Sequence, residues 1–199
     1  MANDPPVTTQ PAGAIKLPEP RLDSQTSIES ALRRRRSVRE FDKKPLVLPE
    51  VSQLLWAAQG LTAPEGKRTA PSAGALYPLE VYVVAGKAGD LPAGVYRYRP
   101  DGHDLLLVAQ GDQRAKLATA ALGQDWLADA PVTIVMAAVF ERTARRYRQR
   151  AERYVLMEAG HAAQNVHLQA SAFDLGTVGT VAKYEHCSAI FRSSLHVGD

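Results

Sequence analysis

The stretch Arg33–Phe41, RRRRSVREF, decides how the rest of the chain is read. Four consecutive arginines, a serine, a valine and a fifth arginine close a predicted helix and run into an extended segment. A guanidinium group is permanently charged, and its planar fork matches phosphate oxygens two at a time. A serine hydroxyl among such forks adds a neutral donor. Arg35, Arg36, Ser37 and Arg39 therefore form a candidate grip for one phosphate-bearing small molecule. Short arginine runs are also met as solvated basic patches or nucleic-acid strips, so charge alone leaves both readings open.

The bulk properties narrow the choice. A chain of 199 residues, 45% of them apolar, is long enough to bury one sizeable core. The net charge is only +3, and no nucleic-acid reading motif is present, which counts against a nucleic-acid partner. The single cysteine, Cys187, excludes an intramolecular disulfide and a cysteine-rich metal site, and fits a reducing cytoplasm. The start MANDPPVTTQPAG has no basic region followed by an apolar one, so no signal peptide is expected. The long apolar stretch from Tyr154 to Leu175 carries Glu158, His161, Gln164, Asn165, His167 and Gln169. That is too polar for a membrane span and reads as a buried helix.

Outward from the arginines, residues 1–25 are rich in Pro, Thr and Gln and read as an extended arm. The domain proper is expected over 26–199. Thr26-Ser27-Ile28-Glu29 has capping-box spacing and opens a helix with Ile28, Ala31 and Leu32 on one side. Pro49 begins a second helix, whose stripe is Val51, Leu54, Leu55 and Ala58 and whose stop is Gly60. Small residues bracketed by Pro71 and Pro78 lead into a strand over Leu79–Ala85. The turn Pro100-Asp101-Gly102 joins a hairpin of residues 94–99 and 104–109. Asp112 caps a helix to about Leu122, and the apolar run Pro131–Phe140 reads as a central strand buried on both faces. A last strand is expected over Gly176–Ala182. Strands and helices mixed in this way give an α+β fold around one mixed, mainly antiparallel sheet. The five histidines do not pair at a metal-ligand spacing, and a lone helical histidine reads as structural.

RRRRSVREF, then VSQLLWAAQGLT, then RTAPSAGALYPLEVYVVA, then RYVLMEAGHAAQNVHLQASAFDLGTVG resemble, in this order, the nitroreductase superfamily. More narrowly they resemble its SagB/ThcOx-type branch, dehydrogenases that include azoline oxidases of peptide natural-product clusters. The resemblance covers roughly residues 17–179. It implies FMN at the interface of a homodimer, with the phosphate and ribityl chain held by Arg35, Arg36, Ser37 and Arg39. It implies that Pro71, Ser72, Ala73 and Gly74 come from the other subunit and pack by the flavin ring, where small side chains let backbone approach closely. Val178, Gly179 and Thr180 would form the other wall, with a backbone N–H facing flavin N5, and Glu158 would lie near the ring edge. Tyr147 is the candidate proton donor. Relatives have a Lys-Tyr pair where this chain has Arg146-Tyr147, and arginine cannot act as a base at neutral pH. The tail from about residue 183 departs from the family's ending, leaving Arg192 as a stand-in for a phosphate-contacting arginine.

The implied activity is two-electron hydride transfer through flavin N5 on a small organic molecule or a peptide heterocycle. NAD(P)H is the co-substrate expected of a reductase, and oxygen the acceptor expected of a dehydrogenase. The altered tail and the missing lysine leave open a flavin-binding or scaffold relative without turnover.

Overall fold

The computed structural model describes residues 13–180 apart from 43 and 87. Strands β1 (Ala14–Lys16), β2 (Leu79–Ala85), β3 (Gly94–Arg99), β4 (Asp104–Gln110) and β5 (Val132–Ala138) form one sheet in the order β1-β4-β3-β2-β5. Every neighbouring pair is antiparallel. Among the described residues the one parallel pairing is the isolated bridge between Ser37 and Thr177. Helices α1 (Ile28–Arg34), α2 (Leu48–Gln59), α3 (Arg114–Ala120), α4 (Trp126–Asp129), α5 (Phe140–Tyr147) and α6 (Ala151–Ala172) complete the α+β architecture.

Period-two alternation sends the two sides of β2 into different cores. Val81 and Val83 join Tyr96, Tyr98 and Leu105 under α2, whose Val51 and Leu55 fill the same cluster. Tyr82 and Val84 join Val95 under α3, with Leu117 and Ala120. Helix α2 is buried nearly all round, including the polar Ser52, Gln53 and Gln59, because α6 packs on the side away from the sheet. It is the middle layer of the molecule.

The hairpin, β2 and α2 form where the sequence places them. Strand β5 does not. It is an edge strand, pairing with β2 and with no other described strand, and all its residues are half-buried. Its unbroken apolar run reflects cover on both faces: Ile134 and Met136 pack toward α2, and Val135 and Ala137 toward α3. A run of that kind reports layers, not position within the sheet. Helix α1 also departs from expectation. Its N-cap is Ser27, whose hydroxyl accepts from the Ser30 N–H at 3.2 Å, and of its expected stripe only Ala31 is buried. Ile28 and Leu32 are 63% and 52% exposed. The strand expected over 176–182 is reduced, within the described residues, to the Thr177 bridge; the tail from about 183, with Arg192, lies outside them.

The expected arm contributes the edge strand β1, and its neighbours are pinned by a half-buried histidine. His103 Nε2 lies 2.8 Å from Ser52 Oγ and 2.9 Å from the Pro18 carbonyl, and Nδ1 lies 2.9 Å from Tyr98 Oη. No described helix is long and apolar enough to cross a membrane.

Leu55 is fully buried in the cluster between α2 and the sheet. Leu55→Ala is expected to lower the unfolding free energy by about 2–5 kcal/mol, read by urea denaturation.

Candidate functional site

The arginine segment is fixed by the end of α1 and by the strand-like turn after α6. Arg34 and Arg35 end the helix, and Arg34 pairs with Asp174 at 2.6 Å. Val38 N–H donates to the Thr177 carbonyl at 2.9 Å, which lays Ser37 and Val38 alongside Thr177. Gly176 is required there: a Cβ would stand 2.9 Å from Val38 Cγ1. His167 of α6 locks the same turn from below, its Nδ1 lying 2.6 Å from Thr177 Oγ1. Burial, and next the Arg35 charge, hold the His167 imidazole below its ordinary pKa, so it is neutral at pH 7. A cavity of about 230 Å³ opens at this junction, bounded by Arg35, Val38, His167, Gly176 and Thr177.

Within this cluster the donors are unequally committed. Arg36 folds back onto its own chain, giving Nη1 to the carbonyls of Arg33 and Arg35. Among the described residues, the side chains of Arg35, Ser37 and Arg39 donate no hydrogen bond. Ser37 and Arg39 are exposed. Val178, Gly179 and Thr180 continue from the same turn; the Thr180 hydroxyl accepts from Gln124 at 2.7 Å. Uncommitted guanidinium forks and a free hydroxyl beside a small cavity fit the phosphate of a nucleotide-like group.

A second cluster forms around the loop Pro71–Gly74. Ser72 Oγ accepts from the Tyr77 N–H at 2.9 Å and closes the loop on itself. Gly74 has φ +64, a left-handed conformation, and a Cβ there would stand 3.1 Å from both Arg146 Nη1 and Tyr147 Oη. The loop backbone thus meets the end of α5 directly, and glycine is what allows it. Tyr147 is half-buried, with its ring 4.7 Å from that of Tyr154 and the Arg146 guanidinium 5.6 Å from its centroid.

Below the loop lies Glu158 of α6, 2% exposed. Burial pushes its carboxyl above the usual value, opposed by hydrogen bonds from Ser72 and Gln59 and by the nearby Arg68 and His161. Gln59 bridges: its Nε2 donates to Glu158 at 3.4 Å, and its Oε1 accepts from Arg68 Nη1 at 3.1 Å. Arg68 in turn lies over the Tyr77 ring at 4.4 Å. Gln59 and Arg68 are the residues that sequence reading missed. The one signal for Gln59 was a polar residue inside an apolar helical run, WAAQG.

The two clusters do not meet. Glu158 and His167 are nine residues apart on α6, about 13 Å along the axis and about half a turn round it. One chain therefore brings Arg35, Arg36, Ser37, Arg39, Val178, Gly179 and Thr180 to one side of α6. It brings Pro71, Ser72, Ala73, Gly74, Tyr147 and Glu158 to the other.

The nitroreductase family model matches residues 32–182, a span that takes in both clusters. The chain belongs to the nitroreductase family. MJ1384 of Methanocaldococcus jannaschii, which carries a nitroreductase name, is 44% identical over 172 residues, 86% of this chain and 85% of its own. A Ralstonia eutropha structure described as a nitroreductase superposes with a TM-score of 0.76 at 34% identity, covering 89% of this chain and 81% of that one. A chain of the Escherichia coli microcin synthetase McbBCD complex, with truncated pro-MccB17 bound, has a TM-score of 0.69 at 29% identity over 80% of this chain and 63% of that one. A Desulfovibrio desulfuricans nitroreductase-like structure in complex with FMN shares the fold at a TM-score of 0.52 and 22% identity, covering 77% of this chain and 67% of that one. Kinship with the microcin chain bears out the SagB-type resemblance, and family membership makes this an oxidoreductase.

The Glu158 environment has a pH signature. A carboxyl raised on folding binds more protons in the native state between its unfolded value near 4.5 and its folded value. Its contribution to stability therefore falls as pH rises through that window. Glu158→Gln is expected to remove that fall, so wild type and variant stabilities diverge in the variant's favour from pH 4.5 upward, measured by urea denaturation.

Proposed function

We propose that the chain is an FMN-dependent oxidoreductase acting as a homodimer, on a small organic molecule or a peptide heterocycle. The observation that carries this is the separation of the two clusters across α6. Each has what the other lacks: one offers uncommitted arginine and serine donors, the other a close-approach glycine loop, a buried carboxylate and a phenol. A two-fold dimer would complete each site with the arginine side of one chain and the loop side of its partner. Exposed apolar residues support a partner surface on the same elements: Leu156 and Met157 of α6 are 61% and 55% exposed, in addition to Ile28 and Leu32 of α1.

Arg35, Ser37 and Arg39 would hold the FMN phosphate and ribityl chain, with Arg36 recruited from its backbone contacts. Pro71, Ser72, Ala73 and Gly74 would face the ring from the partner's side, and Val178, Gly179 and Thr180 from the other. Bound there, FMN supplies two-electron hydride transfer through N5. Tyr147, against Gly74, would hold or deliver the substrate proton. Arg146 beside it cannot take a proton and adds a fixed positive charge instead. Glu158 positions Ser72 and hence the loop. NAD(P)H is the proposed reductant.

Purified protein mixed with FMN and desalted is expected to retain a flavin absorption spectrum and to oxidise NAD(P)H faster than free flavin does. Arg35→Gln should weaken retention by about tenfold or more. Tyr147→Phe should retain flavin but lower the rate on substrate by about 10²–10⁴-fold. A colourless protein would refute cofactor binding. Flavin retained with no gain in turnover would reduce the chain to a non-catalytic relative.

A further inference from the structure

A larger cavity, of about 610 Å³, opens at the end of the sheet where β2 begins and β3 ends. It shares no lining residue with the cavity beside Arg35. Antiparallel register builds it. Arg97 is paired with Tyr82, Arg99 with Asp104, and Asp104 with Lys16, so Glu80, Arg97, Arg99, Asp104 and Lys16 share one sheet face. Helix α3 covers the apolar half of that face, over Tyr82, Val84 and Val95. The other half carries charge instead. Arg142 reaches over it from α5, while Gln59 and Arg68 approach from the α2 side.

Five cations line this cavity against three carboxylates, and two of those carboxylates are saturated. Glu80 gives one oxygen to Arg97 at 2.5 Å and the other to Arg142. Asp104, 1% exposed, takes a bidentate pair from Arg99, both bonds 2.7 Å. The third, Asp101, is exposed. Lys16 donates to the Gly102 carbonyl at 2.8 Å. Arg68 has no ion pair among the described residues; its hydrogen-bond acceptor is the neutral Gln59 amide. Among the described residues Arg68 Nη2 and Arg97 Nη1 have no acceptor, and the buried Nε atoms of the same two groups have none either. Buried donors without acceptors are uncommon, and here two belong to guanidinium groups on one cavity.

We propose that this cavity binds a small anionic ligand, its phosphate or carboxylate group held by Arg68 and Arg97. The volume suits a metabolite-sized molecule, and a bidentate anion supplies the acceptors that the saturated carboxylates cannot. The cavity is separate from the Arg35 segment but shares Gln59 and Arg68 with the network beneath the Pro71–Gly74 loop.

The test is isothermal titration of the full chain with pyrophosphate and, separately, with succinate at fixed ionic strength. It is done in an Arg35→Gln, Arg39→Gln background, so that the other arginine cluster does not report. Saturable binding of one or both anions is expected, weakened about tenfold or more by Arg68→Gln and by Arg97→Gln. Arg68→Lys keeps the charge and the stem, and should fall between wild type and Arg68→Gln. Preference between the two anions names the ligand group. No saturable binding of either anion, or binding equal in the Arg68 and Arg97 variants, overturns the proposal. Flavin retention by the wild-type chain reads the proposed cofactor site independently of either result.

Discussion

Nine residues separate Glu158 from His167, and the pitch of an α-helix turns that spacing into opposite faces. Helix α6 is therefore a partition as well as a core element. His167 secures Thr177, Thr177 secures the backbone of Ser37 and Val38, and the arginines are presented on that side. Glu158 supports Ser72 and Gln59, and the glycine loop is presented on the other. Both would be needed to enclose a flat, phosphate-tailed cofactor, which is why the proposed site is a property of two chains.

The charges are arranged by how far burial forces them to pair. Glu80 and Asp104 lie on the sheet and have every carboxylate oxygen engaged by arginine. Glu158 is as buried but has no ion pair among the described residues, resting on a serine, a glutamine and more distant positive charge. A carboxyl held that way is raised, because its charged form is poorly solvated. Nearer the surface the balance reverses: among the described residues the half-buried Arg35, on the smaller cavity, and the exposed Arg39 have no partner. Structural charges are compensated, and the uncompensated ones mark the candidate sites.

Legibility followed the range of the interaction. Strand β2 and the β3–β4 hairpin were readable because alternation, β-branched content and the Pro-Asp-Gly turn act within a few residues. The arginine segment and the Pro71–Gly74 loop were readable because their residue types are unusual and tightly spaced. Strand β5 was misplaced because apolar cover on two faces looks the same at the centre and at the edge of a sheet. Ile28, Ala31 and Leu32 were read as one side of a helix, and such a stripe does not say what it faces: Ala31 is buried, Ile28 and Leu32 are exposed. The Arg68–Gln59–Glu158 chain joins three distant segments through one amide, and nothing local announces it.

The division of the site across α6 is most directly tested by mixing two damaged proteins. Arg35→Gln removes a donor from one side, and Gly74→Val fills the close approach on the other. Each alone should retain far less flavin than wild type after desalting, with turnover lowered in step. After unfolding and refolding together in equal amounts, random pairing should restore about a quarter of the wild-type flavin sites and turnover, since half the dimers would hold one intact site. Activity that stays at the level of the separate variants would contradict a site built from two chains.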